Sequence, residues 1–146
     1  MLHLYSMKSS IYLILFIASL AEAKLGDIHV KSMLAKKSNQ NSLSYVTSTY
    51  KLEDATITEY INSSNQVFEI SWTGTFHPDE NNLLGANYLS QYKLRENKAK
   101  IKGQRNSLNL KEKNLIVKKS GHMGHLHGKA YDPSLVPVGV NADALP

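Results

Sequence analysis

A chain of 146 residues, 42% hydrophobic and 20% charged, is long enough for one folded domain and too polar to be built from membrane-spanning helices. The lack of cysteine excludes disulfide staples, thiol catalysis, Cys-ligated zinc and a lipid-modified N-terminal cysteine. The net charge of +5 is unevenly spread: ten Lys or Arg against two Glu fall between Lys93 and Lys119, which leaves the remainder net negative.

Residues 1–23 carry the pattern of a secretory signal. Lys8 supplies a short positive region, Ile11 to Leu20 an apolar run interrupted by Ser19, and Ala21-Glu22-Ala23 a small-residue cleavage site. About 20 apolar residues are needed to span a bilayer, and this run is half that length. Met7-Lys8 is a more ordinary start than Met1. The expectation is a protein exported to the periplasm or secreted, with no transmembrane segment in its mature chain. Residues 24–42 are polar and without periodicity, so a flexible leader is expected there, followed by a single domain over 43–146.

Tyr45–Leu52, Thr56–Ile61 and Gln66–Trp72 are rich in Thr, Tyr, Val and Ile, and short polar gaps between them suggest hairpins. In the third strand Phe68, Ile70 and Trp72 fall on one face and Val67, Glu69 and Ser71 on the other. The first face is expected in the core and the second in contact with water. Glu59 and Glu69 are accordingly expected to face solvent. Asp79 is placed to cap a helix, with Glu80 in its first turn. Leu84, Tyr88 and Tyr92 then form a stripe, beside Leu83 and Leu89, to lie against the sheet. Gly85 costs such a helix about 1 kcal/mol relative to alanine, which suggests close packing at that point.

Leu115-Ile116-Val117 and Gly128-Lys129-Ala130-Tyr131 are the remaining strand candidates, and Pro133 and Pro137 keep the segment 132–146 extended. The predicted fold is α+β: an antiparallel sheet of about five strands, in the order βββ-α-ββ, packed against one helix and followed by an extended, proline-containing C-terminal segment.

Several stretches resemble an exported bacterial family, domain of unknown function 2844. They are Leu25-Gly26, Thr58-Glu59-Tyr60-Ile61, Val67-Phe68, Trp72-Thr73-Gly74, Pro78-Asp79, Leu83-Leu84-Gly85, Gly121-His122-Met123, Gly128-Lys129-Ala130-Tyr131 and Pro133 to Val140. The chain departs from that pattern at Asn65, where the family tends to have glycine, and at Thr75, where it often has proline. The resemblance implies export and a shared fold and carries no activity.

Three constellations are candidate sites. His122, His125 and His127 supply imidazoles at a spacing that suits zinc or copper, although no carboxylate lies within the segment. An extended segment sends His125 and His127 to one face and His122 to the other, whereas a loop made pliable by Gly121 and Gly124 turns all three inward. The basic run, represented by Lys98, Lys100, Lys102 and Arg105, offers attraction to lipid headgroups or polyanions. It contains no aromatic residue for base stacking, so nucleic acid is not the expected partner. Tyr131, Leu135 and Val136 offer apolar contact either to a partner, such as another envelope protein, or to the protein's own sheet. No catalytic motif is present: there is no G-x-S-x-G, H-E-x-x-H or phosphate-cradling G-x-x-x-x-G-K. The sequence therefore points to a non-enzymatic binding or accessory module without a cofactor, with a zinc- or copper-binding protein and an anion-binding protein as rivals.

Overall fold

The computed structural model describes residues 23–29, 44–101 and 107–146. Its described strands are β1 (Tyr45–Leu52), β2 (Ala55–Asn62), β3 (Val67–Gly74), β4 (Leu108–Lys111), β5 (Ile116–His122) and β6 (His125–Tyr131). They form one antiparallel sheet in the order β1-β2-β3-β6-β5-β4. Two hairpin-connected halves thus meet at the β3–β6 pair, where Glu69 lies opposite Tyr131 and Trp72 opposite Gly128. The expected α+β architecture holds with six strands in place of five. The additional strand is β4, whose four residues alternate buried Leu108 and Leu110 with exposed Asn109 and Lys111.

The helical part is divided. Asp79 caps a single turn, α1 (Glu80–Leu83), its Oδ1 accepting from the Asn81 amide at 2.9 Å. Leu84 is extended, and α2 (Ala86–Ile101) starts just beyond Gly85. At the interruption Leu84 pairs with Leu25, and the close approach there requires glycine at position 85. A β-carbon on Gly85 would lie 2.9 Å from the Leu25 carbonyl oxygen, because residues 23–29 cross the chain there. Leu25 pairs with Leu84 in a parallel bridge and Ile28 with Gln66 in an antiparallel one. Leu25 has no solvent exposure. The leader expected over 24–42 is therefore corrected for its first residues, which complete the core. Residues 30–42 lie outside the described ones.

One face of the sheet, the helix side, carries Ile57, Ile70, Trp72, Leu108, Leu110, Val117 and Ala130, packed with Leu25, Leu83, Leu84 and Tyr92. Burial of such side chains stabilises by about 1.5–3 kcal/mol each, which makes this layer the principal source of stability. The indole of Trp72 is 2% exposed, and its N–H donates to His77 Nδ1 at 3.0 Å. Gly128 permits this fit, since a β-carbon there would stand 2.4 Å from an indole carbon.

The expected grouping of Phe68 with Ile70 and Trp72 fails at Phe68. The β2–β3 register shifts between Tyr60 and Ile61, so that Ile61 pairs with Val67 and Tyr60 with Glu69. Such an irregularity re-aims a side chain. Val67 joins the helix-side core, while Phe68 meets Tyr45 and Tyr60 at ring-centroid distances of 5.9 and 6.2 Å.

Both acids expected in solvent are buried, Glu59 at 1% and Glu69 at 0% exposure. Glu59 lies on the helix side, and the Nδ1–H of His29 donates to its Oε2 at 3.1 Å. Burial holds the His29 pKa below the usual histidine value. Glu69 lies on the opposite face, beneath Lys129 and the C-terminal segment.

Candidate functional site

The face away from the helix carries rows of hydroxyl and charged side chains, interrupted by the Tyr45, Tyr60 and Phe68 rings and by Ile116 and Tyr131. The ladders place Tyr45, Thr47, Thr49 and Lys51 of β1 beside Thr56, Thr58 and Tyr60 of β2. These are followed by Glu69, Ser71 and Thr73 of β3, then by His127, Lys129 and Tyr131 of β6. Ser120, Lys118 and Ile116 of β5 continue the rows, with Asn109 and Lys111 of β4 at the far edge. A groove of about 710 Å³ runs over this surface, lined by Thr47, Thr56, Thr58, Ser71, Thr73 and Lys118, among others. Of its described lining residues, only Pro146 comes from outside the sheet.

Hydroxyls from Thr47, Thr56, Thr58, Ser71 and Thr73 stud the floor among methyl and ring carbons, because β-branched Thr suits a pleated surface and its hydroxyl tolerates water. Thr49 and Thr58 hydroxyls bond each other at 3.3 Å. One wall is basic. Lys118 Nζ donates to Asp143 Oδ1 at 2.6 Å, and Lys129 Nζ to the carbonyls of Ala142 and Leu145 at 3.0 and 2.5 Å. Beyond them Ser120 Oγ and His127 Nε2 are 2.7 Å apart.

Beneath Lys129, its Nζ stands 3.4 Å from Glu69 Oε1, an ionic contact without hydrogen-bond geometry. Neither carboxyl oxygen of Glu69 accepts a hydrogen bond among the described residues. Burial pushes the Glu69 pKa up to about 7, and Lys129 partly opposes it.

The three histidines share this face. A two-residue turn, Met123-Gly124, puts His122 directly opposite His125, and Ser120 opposite His127. The chain reverses between His122 and His125, so the arrangement expected of one extended segment gives way to the turn that Gly121 and Gly124 allow. The rings of His122 and His125 are 5.3 Å apart, both exposed, while His127 is engaged by Ser120. Among the described residues no three His, Cys, Asp or Glu side chains are grouped to hold a metal ion.

The basic run is divided between the two faces. Lys111 and Lys118 lie on the open face, whereas Lys119 turns to the helix side, where its ammonium meets Glu80 and donates to Tyr92 OH at 2.7 Å. Arg95 pairs with Glu112. Lys98 and Lys100 belong to α2, and Lys102 and Arg105 lie outside the described residues.

Of the apolar candidates, Tyr131 is buried and its OH donates to Asp143 Oδ1 at 2.7 Å. Val136 packs against Ile116, Tyr131 and Ala142. Leu135 is half-buried, and its carbonyl accepts from Asn62 Nδ2 at 3.1 Å. All three are thus engaged by the chain's own sheet.

Sequence reasoning named His127 for a metal, Tyr131 for a partner and the run containing Lys118 for anions, without bringing them together, and missed Lys129, Glu69 and the hydroxyl rows. The available signal was the alternation Thr47-x-Thr49, Thr56-x-Thr58 and Ser71-x-Thr73, with His127-x-Lys129 and Lys118-x-Ser120, which puts every polar member on one side of a shared sheet.

Comparison with known proteins gives a family and no activity. The chain matches the family described as "Protein of unknown function (DUF2844)" over residues 21–145, and it belongs to that family. No curated protein and no solved structure matches it.

Proposed function

We propose that this protein is an exported, non-catalytic binding module whose ligand site is the hydroxyl-lined face of its sheet, and that the ligand is anionic. The observation that carries this reading is the groove itself. Its floor of Thr and Ser hydroxyls meets the ammonium groups of Lys118 and Lys129 along one wall. Hydroxyls accept and donate at little desolvation cost, and lysines give long-range attraction for a negative partner.

Catalysis is less well supported. The Ser120–His127 pair has the separation of a nucleophile and its base, yet it lies at the surface, and no carboxylate orients the second imidazole nitrogen among the described residues. Export is supported by the apolar run before Ala23 and by a family match that begins at Ala21. No described helix is long and apolar enough to cross a membrane.

Binding is tested with low-molecular-weight dextran sulfate, a hydroxyl-rich polyanion, followed by amide chemical shifts. Perturbation centred on Thr47, Thr58, Thr73 and His127, weakening as salt is added, is the expected result. Shifts confined to α2, or none, overturn it. Export is tested by sequencing the N-terminus of protein from the native host. Lys24 as the first residue is expected, and an intact N-terminus in the cytoplasmic fraction refutes it.

A further inference from the structure

We infer that the ligand taken by this face is an acidic, extended peptide, and that the segment Ala142–Pro146 occupies one end of the groove as a resident self-ligand. The inference rests on the open face being the binding site. It adds the ligand class and a competitor.

The contacts of the segment specify the chemistry. Asp143 presents its carboxylate to Lys118 Nζ and Tyr131 OH, at 2.6 and 2.7 Å. Backbone carbonyls on either side of it are met separately. Lys129 Nζ takes those of Ala142 and Leu145, and Tyr60 OH donates to that of Pro146 at 2.8 Å. Four side chains of the sheet face therefore read one acidic residue and the main chain flanking it. Apolar burial is confined to Ala142, which packs on Ile116 and Tyr131, and to half-buried Leu145, while Asp143, Ala144 and Pro146 are exposed. A segment held mainly by polar contacts at a wet surface exchanges readily with an equivalent donor–acceptor pattern supplied from elsewhere.

The two lysines are not equivalent. Lys129 Nζ stands 3.4 Å from the buried Glu69 carboxyl and makes its hydrogen bonds to main-chain carbonyls. Lys118 takes the carboxylate instead. A sulfated glycan satisfies Lys118 equally well, but the carbonyls taken by Lys129 and Tyr60, from Ala142, Leu145 and Pro146, have the spacing of a peptide main chain. Nucleic acid is disfavoured further, because Tyr60 and Tyr131 are buried and offer no open ring face for a base. The groove is lined as well by Thr58, Ser71, Thr73 and His127, so a longer peptide can reach hydroxyls beyond those four side chains.

The test uses the full chain and the synthetic peptide acetyl-Asn-Ala-Asp-Ala-Leu-Pro-amide. Asp143→Asn in the protein weakens the resident competitor, and calorimetry should then show the peptide binding about tenfold more tightly than to the unaltered chain. A peptide with Asn in place of its Asp should lose that gain. In the unaltered chain, excess peptide should move the amide resonances of Ala142, Asp143 and Leu145 as the segment is displaced, a readout independent of any variant. Equal affinity for the two peptides, or an excess of peptide that leaves those resonances in place, overturns the inference. If the peptide fails while dextran sulfate still perturbs the Thr47–Thr73 surface, the binding face stands and its peptide ligand falls. If both fail, both fall.

Discussion

Glu69 and Lys129 meet diagonally across the β3–β6 ladder, with 3.4 Å between Oε1 and Nζ, and the carboxyl is wholly buried. An acid in that position destabilises the fold when ionised, because its desolvation is only partly offset by one ammonium. Its pKa of about 7 lies above the ordinary 4.5, so the folded state holds the proton more tightly than the unfolded state. Stability from this group is full below pH 4.5 and is lost as pH rises through about 7.

Glu69→Gln removes the titration. Relative to the unaltered chain, the variant should gain stability steadily as pH rises from 4.5 to about 7, by up to about 3 kcal/mol, and remain level above it. Urea denaturation of both proteins across this range measures the difference. Taking the difference cancels the opposite contribution of His29, whose lowered pKa weakens the fold as pH falls. Parallel curves for the two proteins contradict the assignment.

Leu25→Ala tests whether the residues just beyond Ala23 belong to the core. Leu25 is fully buried, its amide donates to the Leu83 carbonyl at 2.9 Å, and it lies between Leu84 and the sheet. Loss of a buried leucine costs about 2–5 kcal/mol, whereas the same change in a flexible leader costs nothing measurable. A shift in the urea midpoint decides between them, and an unchanged midpoint removes residues 23–29 from the core.

Local chemistry made part of this structure legible. β-Branched and aromatic residues flanked by polar turns announce β1 to β3, and the Asp79 side chain has its partner two residues away at Asn81. What escaped depends on residues distant in sequence. In Val67-Phe68-Glu69-Ile70, Glu69 reads as a solvent position, and only Lys129 and the segment at 142–146 convert it into a buried one. Phe68 changes faces because the β2–β3 register slips, which no alternation within β3 reveals. β4 was hidden by its length of four residues inside a charged run. The open face escaped because Thr is common in strands for conformational reasons, so a row of hydroxyls becomes a surface only once three strands are aligned.

Gly128→Ala should be costly despite its small size. The new methyl would stand 2.4 Å from an indole carbon of Trp72 and 2.9 Å from the Lys118 carbonyl oxygen, in a layer with no room to yield. Overpacking of this kind costs about 1–3 kcal/mol. Because Trp72 is the only tryptophan, the same variant should shift the emission maximum as the indole leaves His77. Unaltered stability together with unaltered emission argues against the close approach.

Asn65 supplies the sharpest test of backbone conformation. Its φ of +62 lies in the left-handed region, its amide donates to the Asn62 carbonyl, and its Nδ2 donates to the His29 carbonyl at 2.5 Å. Left-handed backbone costs an ordinary L-residue about 1–2 kcal/mol, Asn less, and glycine essentially nothing. Asn65→Gly therefore loses only the bond to His29, worth about 1 kcal/mol. Asn65→Ala loses that bond and meets the steric penalty as well, and Asn65→Val, branched at Cβ, should be worst. Denaturation midpoints should fall in the order Asn, Gly, Ala, Val. An alanine variant as stable as the glycine variant would show that the turn between β2 and β3 relaxes out of the left-handed region at little cost, and would leave the bond to His29 as the sole reason for asparagine at this position.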